Sequence, residues 1–326
     1  MFVNSTTILF VRMILTRIAI VASAPSWMIS WVGLELNNLR FIPLILNNRN
    51  KRERESAIKY FLTQALASVL FLVGGLIESS SFYVIGGRIL MNTALIIKLG
   101  GAPFHAWIPS VLEGIVWKRC FLLLTIQKIN PLILLAIIDK IEGVIVFTIL
   151  ISLIVGAYGG LSQTSIRKIL AFSSINHAGW FISAIVLRNY LTWVYFGIYS
   201  LLIISVISIN DIFNINHINQ SINLTSSPIQ SMLMLRLLRL GGLPPFIGFL
   251  PKWLVLQDTI ICGRIFVSVT IILMRLVTLY YYLRIAFASF ILSKSCHFIK
   301  NESGTPKIII LTNSLRLGGL LLTFIF

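Results

Sequence analysis

Lys98-Leu99-Gly100-Gly101-Ala102-Pro103-Phe104 and Arg239-Leu240-Gly241-Gly242-Leu243-Pro244-Pro245-Phe246 are nearly the same phrase written twice, each time inside a long apolar segment. Glycine followed by proline stops a helix and releases backbone groups that hydrocarbon cannot satisfy. Such a break survives at membrane depth only where protein or a wet cavity supplies partners, and two matched breaks mark a transport pathway. A lysine accompanies each, Lys98 before the first and Lys252 after the second.

The surroundings fix the solvent. Of 326 residues 57% are hydrophobic and only 11% charged, and the mean hydropathy is +0.92. That balance belongs to a polytopic membrane protein. No signal-peptide pattern stands apart at the start, so the first apolar stretch is expected to be a retained span. Cys120, Cys262 and Cys296 are too few and too scattered for a disulfide framework or a metal site. The net charge of +17 is spread among apolar runs with no soluble domain to present it, which makes membrane topology, and not nucleic acid, its explanation.

Runs of about 17 to 25 apolar residues can span a bilayer as helices. Eleven are expected, at 7–24, 26–47, 59–77, 82–117 (broken), 120–138, 143–162, 168–187, 190–209, 229–257 (broken), 264–291 and 308–326. This order places the N-terminus and the loops carrying Arg49, Lys51, Arg52, Arg54, Lys118, Arg119, Arg167, Lys168, Lys294, Lys300 and Lys307 on one side. The opposite loops hold little beyond Lys140, Arg188 and Arg264, so the positive-inside rule assigns the basic side to the cytoplasm or its organellar equivalent. The stretch from Asn210 to Pro228 is the longest polar linker.

Helices one to five contain the first break at their fourth member, and helices six to ten contain the second at theirs. Because five is odd, the second unit must run inverted relative to the first. The expected fold is an all-α bundle of two inverted repeats, 1–139 and 140–292, followed by a loop and terminal helix, 293–326.

An ionisable residue at bilayer depth costs about 2.5 to 3.5 kcal/mol on insertion scales, so each one needs a partner or a role. Glu35, in the middle of the second span, calls for a lysine from another helix as counter-ion. Lys98 and Lys252 flank the breaks, and Lys128 lies in Thr125-Ile126-Gln127-Lys128-Ile129-Asn130-Pro131. Buried lysine can give up its proton where arginine cannot, so three lysines and one acid suit a proton relay. The plain alternative is that they snorkel or neutralise one another structurally. His105 and His177 either bridge these sites or serve as packing residues. No dinucleotide fingerprint, phosphate loop or paired catalytic carboxylate points to redox or hydrolytic chemistry in this chain.

The phrases Trp31-Val32-Gly33-Leu34-Glu35-Leu36-Asn37, Lys98 through Trp107, Gln127-Lys128, Arg167 through His177 and Gly241 through Trp253 closely resemble the subunit 2 family of mitochondrial NADH-ubiquinone oxidoreductase, respiratory complex I. Leu279-Tyr280-Tyr281-Tyr282-Leu283-Arg284 and the short eleven-helix form resemble the arthropod versions. The resemblance implies an antiporter-like core subunit of the membrane arm, moving protons while electrons pass from NADH to ubiquinone elsewhere. It implies no cofactor in this chain, with NADH, FMN, iron–sulfur clusters and ubiquinone held by other subunits. It further implies a multi-pass position in the mitochondrial inner membrane beside other membrane-arm subunits and lipid, with the N-terminus and basic loops in the matrix. Residue by residue, Glu35 pairs with Lys98, Lys128 is the central relay lysine, and Lys252 stands at the second break. A stand-alone cation/proton antiporter and a non-conducting structural subunit are the competing readings.

Some arginines depart from the family pattern. Arg40, Arg239 and Arg275 stand where it usually has serine or another small residue, and Arg12, Arg17 and Arg316 also interrupt spans with no acid nearby. Six such arginines would together cost about 15 to 20 kcal/mol on the insertion scale. Either they belong to a divergent lineage and snorkel to the interface, or the sequence was translated with a code reading AGA and AGG as Arg where invertebrate mitochondria read Ser. The 53 isoleucines against 7 methionines favour the second, because ATA would then be read as Ile instead of Met. Sequencing the gene is expected to give AGA or AGG at positions 40, 239 and 275, and CGN codons there would contradict it.

Overall fold

The computed structural model describes residues 5–46, 50–80, 83–222 and 227–292. Every named element in it is a helix: α1 Ser5–Ala22, α2 Trp27–Ile45, α3 Lys51–Ser79, α4 Val84–Leu99, α5 Trp107–Gly114, α6 Trp117–Leu124, α7 Ile126–Ile137, α8 Glu142–Leu161, α9 Ile166–Leu187, α10 Asn189–Ile212, α11 Ile218–Ile222, α12 Ser227–Gly241, α13 Phe249–Ile261 and α14 Ile265–Leu292. Among the described residues six helical segments are long and apolar enough to cross a membrane: Lys51–Ser79, Trp117–Ile137, Glu142–Leu161, Ile166–Leu187, Asn189–Ile212 and Ile265–Phe287.

The two broken segments resolve into α4 with α5 and α12 with α13, each half too short to span alone. α1 and α2 coincide with the first two expected runs, and the eleventh run, 308–326, lies outside the described residues. Two boundaries differ from expectation. α3 begins at Lys51, eight residues before the apolar run, because Glu53 in its first turn and the Lys59–Glu55 pair one turn apart support a helix that projects beyond hydrocarbon. The polar stretch after Asn210 is no free linker. α10 continues through Ile212, and residues 216 and 218 hydrogen-bond to 166 and 164 across a short antiparallel bridge.

α9 sits at the centre, packed against α8, α10, α5, α13 and α7. It is buried around almost its whole circumference, including Ser173, Ser174, Asn176, His177 and Ser183. Enclosed by other helices, it buries these polar groups against protein and touches elements of both broken segments. The outer surface is the reverse. Leu62, Leu66, Val69 and Leu76 of α3 and Phe266, Leu273 and Leu276 of α14 are exposed, an apolar belt suited to lipid. α3 and α4 approach closely where Gly74 faces Gly87; a Cβ on either would come within 2.8 Å or 2.7 Å of the other's carbonyl oxygen.

Charges collect at the two ends. At one, Glu113 meets Lys168 at 2.9 Å, Asp211 meets Lys118 at 3.9 Å and Glu53 meets Arg119 at 3.2 Å. The last pair is buried, and Arg119 also donates to the Ile45 carbonyl at 2.9 Å, tying α6 to α3 and to the end of α2. At the other, Arg88 bridges Glu78 and Asp139, Arg188 meets Asp258 and Arg264 meets Glu142. Removing one member of the buried pair matters more than losing an exposed one.

The first break is shaped by Gly100. Its φ of 75° is left-handed, it caps α4, and a Cβ there would lie 1.8 Å from Ile108 Cδ1. Gly100→Ala is expected to destabilise the protein by about 1–2 kcal/mol for the backbone and about 1–3 more for the clash. Gly143→Ala, with nothing within 4 Å of the added methyl, is expected to be tolerated. Heat-induced dissociation of the assembled protein separates the two.

Candidate functional site

The site begins with the carbonyl groups that the breaks release. At the first, the Gly100 and Gly101 amides return to Ile97 and Ile96, and the Trp107 indole donates to the Ile97 carbonyl at 3.2 Å. At the second, Lys252 Nζ donates to the carbonyls of Leu240 at 2.9 Å and Gly241 at 3.1 Å. One lysine of α13 thus closes the end of α12. Gly242 there has a φ of 81°, and a Cβ on it would lie 3.3 Å from Lys252 Nζ, so the glycine leaves the ammonium its place.

Lys128 is held differently. It lies between an interruption at Thr125, where φ is −119° and ψ −75°, and Pro131, which cannot donate a helical bond to the carbonyl of residue 127. Its Nζ donates to the Ser174 carbonyl at 3.1 Å and lies 5.4 Å from the Tyr199 ring centroid and 5.8 Å from that of Phe181. An ammonium out of water accepts such π-faces as partial compensation.

Lys98 has no hydrogen-bond partner at Nζ among the described residues, although it is buried. It lines a narrow cavity with Asn37, Asn38, Tyr60, Gln64, Gln127 and Lys128, whose volume of about 10 Å³ approaches the ~10–15 Å³ that one water requires. Asn37 closes this cavity by donating to Gln127 at 2.6 Å. Glu35 lies one turn from Asn38, whose amide donates to its carboxylate at 3.5 Å. The structure does not bring the expected Glu35–Lys98 pair into direct contact: Asn38 binds the carboxylate, and Lys98 Nζ has no hydrogen-bond partner among the described residues. The carboxylate is only partly buried, and its own helix supplies its nearest partner.

With Ser173, Asn176, Leu240, Lys252, Thr278, Tyr281 and Tyr282, His177 lines a crevice too tight to admit a water. One turn of α9 therefore touches both lysines, Ser174 holding Lys128 and Ser173 and His177 facing the pocket of Lys252. His105 is placed elsewhere. It is partly exposed, and its Nδ1 lies 3.0 Å from the Pro103 carbonyl oxygen, so it closes the break locally and does not line the cavity of Lys98 and Lys128. Three arginines near the second break contact carbonyl oxygens and rings. Arg275 donates to the Gly242 carbonyl at 2.7 Å and stacks over Phe249 at 4.6 Å, Arg236 donates to the Ser205 carbonyl, and Arg239 lies 5.7 Å from the Phe246 ring centroid.

Residues 24–278 fit the family model described as NADH:quinone oxidoreductase/Mrp antiporter, transmembrane. NADH-ubiquinone oxidoreductase chain 2 of Anopheles gambiae is 40% identical over 327 aligned residues, which cover 96% of either chain. The chain belongs to the NADH-ubiquinone oxidoreductase chain 2 family. The relative of that name from Dugong dugon is 38% identical over 86% of both chains, so the likeness extends well beyond insects. Among solved structures, a chain of respiratory complex I from Thermus thermophilus superposes with a TM-score of 0.83 at 24% identity, covering 98% of this chain and 79% of that one. A chain of the Mrp complex from Dietzia sp. superposes with a TM-score of 0.75 at 17% identity, covering 85% and 59%. At these identities the two structures speak for the fold.

Sequence reasoning had named the three lysines without their partners. Ser174 and the interruption at Thr125 it did not reach, although Pro131 was a signal for the latter. Among the described residues no three His, Cys, Asp or Glu side chains gather as metal ligands would. The different anchoring of the lysines has a measurable consequence. Lys98→Met removes a buried polar group that lacks a partner and is expected to raise the midpoint of heat-induced dissociation, whereas Lys252→Met strands two carbonyls and is expected to lower stability by about 1–3 kcal/mol. Equal losses in both variants would contradict this.

Proposed function

We infer that this chain is a core membrane-arm subunit of an NADH:ubiquinone oxidoreductase, carrying out antiporter-like proton translocation coupled to electron transfer between NADH and ubiquinone. The flavin, the iron–sulfur clusters and both redox substrates belong to other subunits, and the chain contributes to the enzyme without a redox centre of its own. Its place is the mitochondrial inner membrane, crossed by eleven spans arranged as inverted repeats at 1–139 and 140–292 plus the segment 293–326. The N-terminus and basic loops face the matrix, and other membrane-arm subunits are its neighbours.

Within that frame Glu35, Lys98, Lys128 and Lys252 form the relay. The observation that carries this is the turn of α9 between residues 173 and 177, which meets Lys128 on one side and the Lys252 pocket on the other. A proton arriving on Lys98 can pass to Lys128 through the cavity they share, because both line it and a single water fits. From Lys128 the path continues beside Tyr199 to His177, whose rings stand 4.7 Å apart, and on to Lys252. Glu35 biases the first lysine electrostatically, so gaining or losing its charge changes how readily Lys98 keeps its proton. His105, bound to its own break, is left to stabilise the bend.

Lys128→Met in the assembled enzyme, reconstituted in sealed vesicles, tests this. NADH oxidation in the presence of an uncoupler is expected to persist, while the number of protons moved per electron pair falls. An unchanged ratio would favour a purely structural subunit. Proton or cation exchange by the isolated chain, without NADH, would favour the stand-alone antiporter.

A further inference from the structure

The relay places His177 between two lysines without saying which ring nitrogen does the work. The structure holds one of them. His177 Nδ1 lies 2.9 Å from the hydroxyl of Tyr195 on α10, and both residues are buried. A neutral imidazole carries one N–H; with that hydrogen on Nδ1 and donated to the Tyr195 oxygen, Nε2 is the nitrogen left to take up a proton. His177 and Lys252 line one tight crevice.

Tyr195 has little freedom to release its partner. Its ring lies stacked against Trp180, centroids 6.1 Å apart, and edge-on to Phe181 at 5.2 Å. Trp180 is itself fixed, its indole donating to Asn176 Oδ1 at 2.9 Å. Tyr199, one turn further along α10, packs on the same imidazole, but among the described residues its hydroxyl has no hydrogen-bond partner. Two tyrosines therefore enclose His177, and only one of them sets its tautomer.

We propose that Tyr195 is a positioning residue for proton transfer: its hydroxyl pins His177 Nδ1, so that the ring takes up and gives back a proton at Nε2 alone. His177 then receives and passes on its proton through the same nitrogen, and not as a two-ended wire. When Nε2 gains a proton from a neighbouring ammonium, that group becomes a neutral amine, Nδ1–H donates to the Tyr195 oxygen, and the reverse transfer restores both. The titratable groups facing the imidazole are Lys128 from α7, Lys252 from α13, Tyr195 and Tyr199 from α10, and Tyr281 and Tyr282 from α14.

This rests on the relay reading, and the two are separable by experiment. In the assembled enzyme in sealed vesicles, Tyr195→Phe keeps the packed ring and removes only the hydroxyl. Protons moved per electron pair are expected to fall, with a displaced pH profile and uncoupled NADH oxidation unchanged. Tyr190→Phe, an exposed hydroxyl on the first turn of the same helix, is the control and is expected to behave as wild type. In a His177→Gln background, Tyr195→Phe is expected to add no further loss. An unchanged ratio and pH profile in Tyr195→Phe, an additive loss in the double variant, or failure of Tyr195→Phe to assemble would each overturn the proposal. If Lys128→Met pumps normally the relay itself is wrong; if Lys128→Met fails to pump and Tyr195→Phe does not differ from wild type, only the role of Tyr195 is wrong.

Discussion

A lysine ammonium inside hydrocarbon must find oxygen, and a broken helix inside hydrocarbon must find donors. The second break satisfies both demands with one contact, Lys252 reaching the carbonyls of Leu240 and Gly241. Neither partner could be kept alone, since the uncapped carbonyls and the unbound charge would each be costly at that depth. Gly242 holds the left-handed turn that leaves the ammonium room, and α13 has to start where its first turn can deliver the lysine. The central position of α9 follows, because some helix must fill the space between the two breaks and present polar groups to both.

The two breaks share a phrase but not a solution. At the first, an indole binds a carbonyl of the last turn, Ile97, where at the second a lysine binds those of Leu240 and Gly241, and Lys98 Nζ is buried with no hydrogen-bond partner among the described residues. The shared phrase therefore does not repeat its anchoring: one lysine is bound by the carbonyls of its break and the other is not.

The membrane class, both breaks and all three lysines were legible in the sequence, because glycine, proline and lysine in an apolar run have few reasons to be there. The bend near Lys128 was only half legible; Pro131 announced it, whereas the interruption itself falls at Thr125, an ordinary helix residue. The core position of α9 was half legible: Ser173, Ser174, Asn176 and His177 inside an apolar run call for protein around them, but which helices surround it only packing decides. The Tyr195–His177 and Ser174–Lys128 contacts link residues 18 and 46 positions apart, distances over which no local pattern operates. The Glu35–Lys98 pair was expected from the resemblance as a contact. In the structure Asn38, one turn along the same helix, binds the carboxylate instead.

The central claim is that Lys98, Lys128, His177 and Lys252 belong to one proton path. A density map of the assembled enzyme fine enough to place ordered water tests it most directly. The account predicts water in the cavity shared by Lys98 and Lys128 and, in a state that opens the crevice, between His177 and Lys252, completing a hydrogen-bonded chain through the centre of the subunit. An apolar gap wider than a few hydrogen bonds between any two of them, in every state of the enzyme that can be trapped, would contradict it.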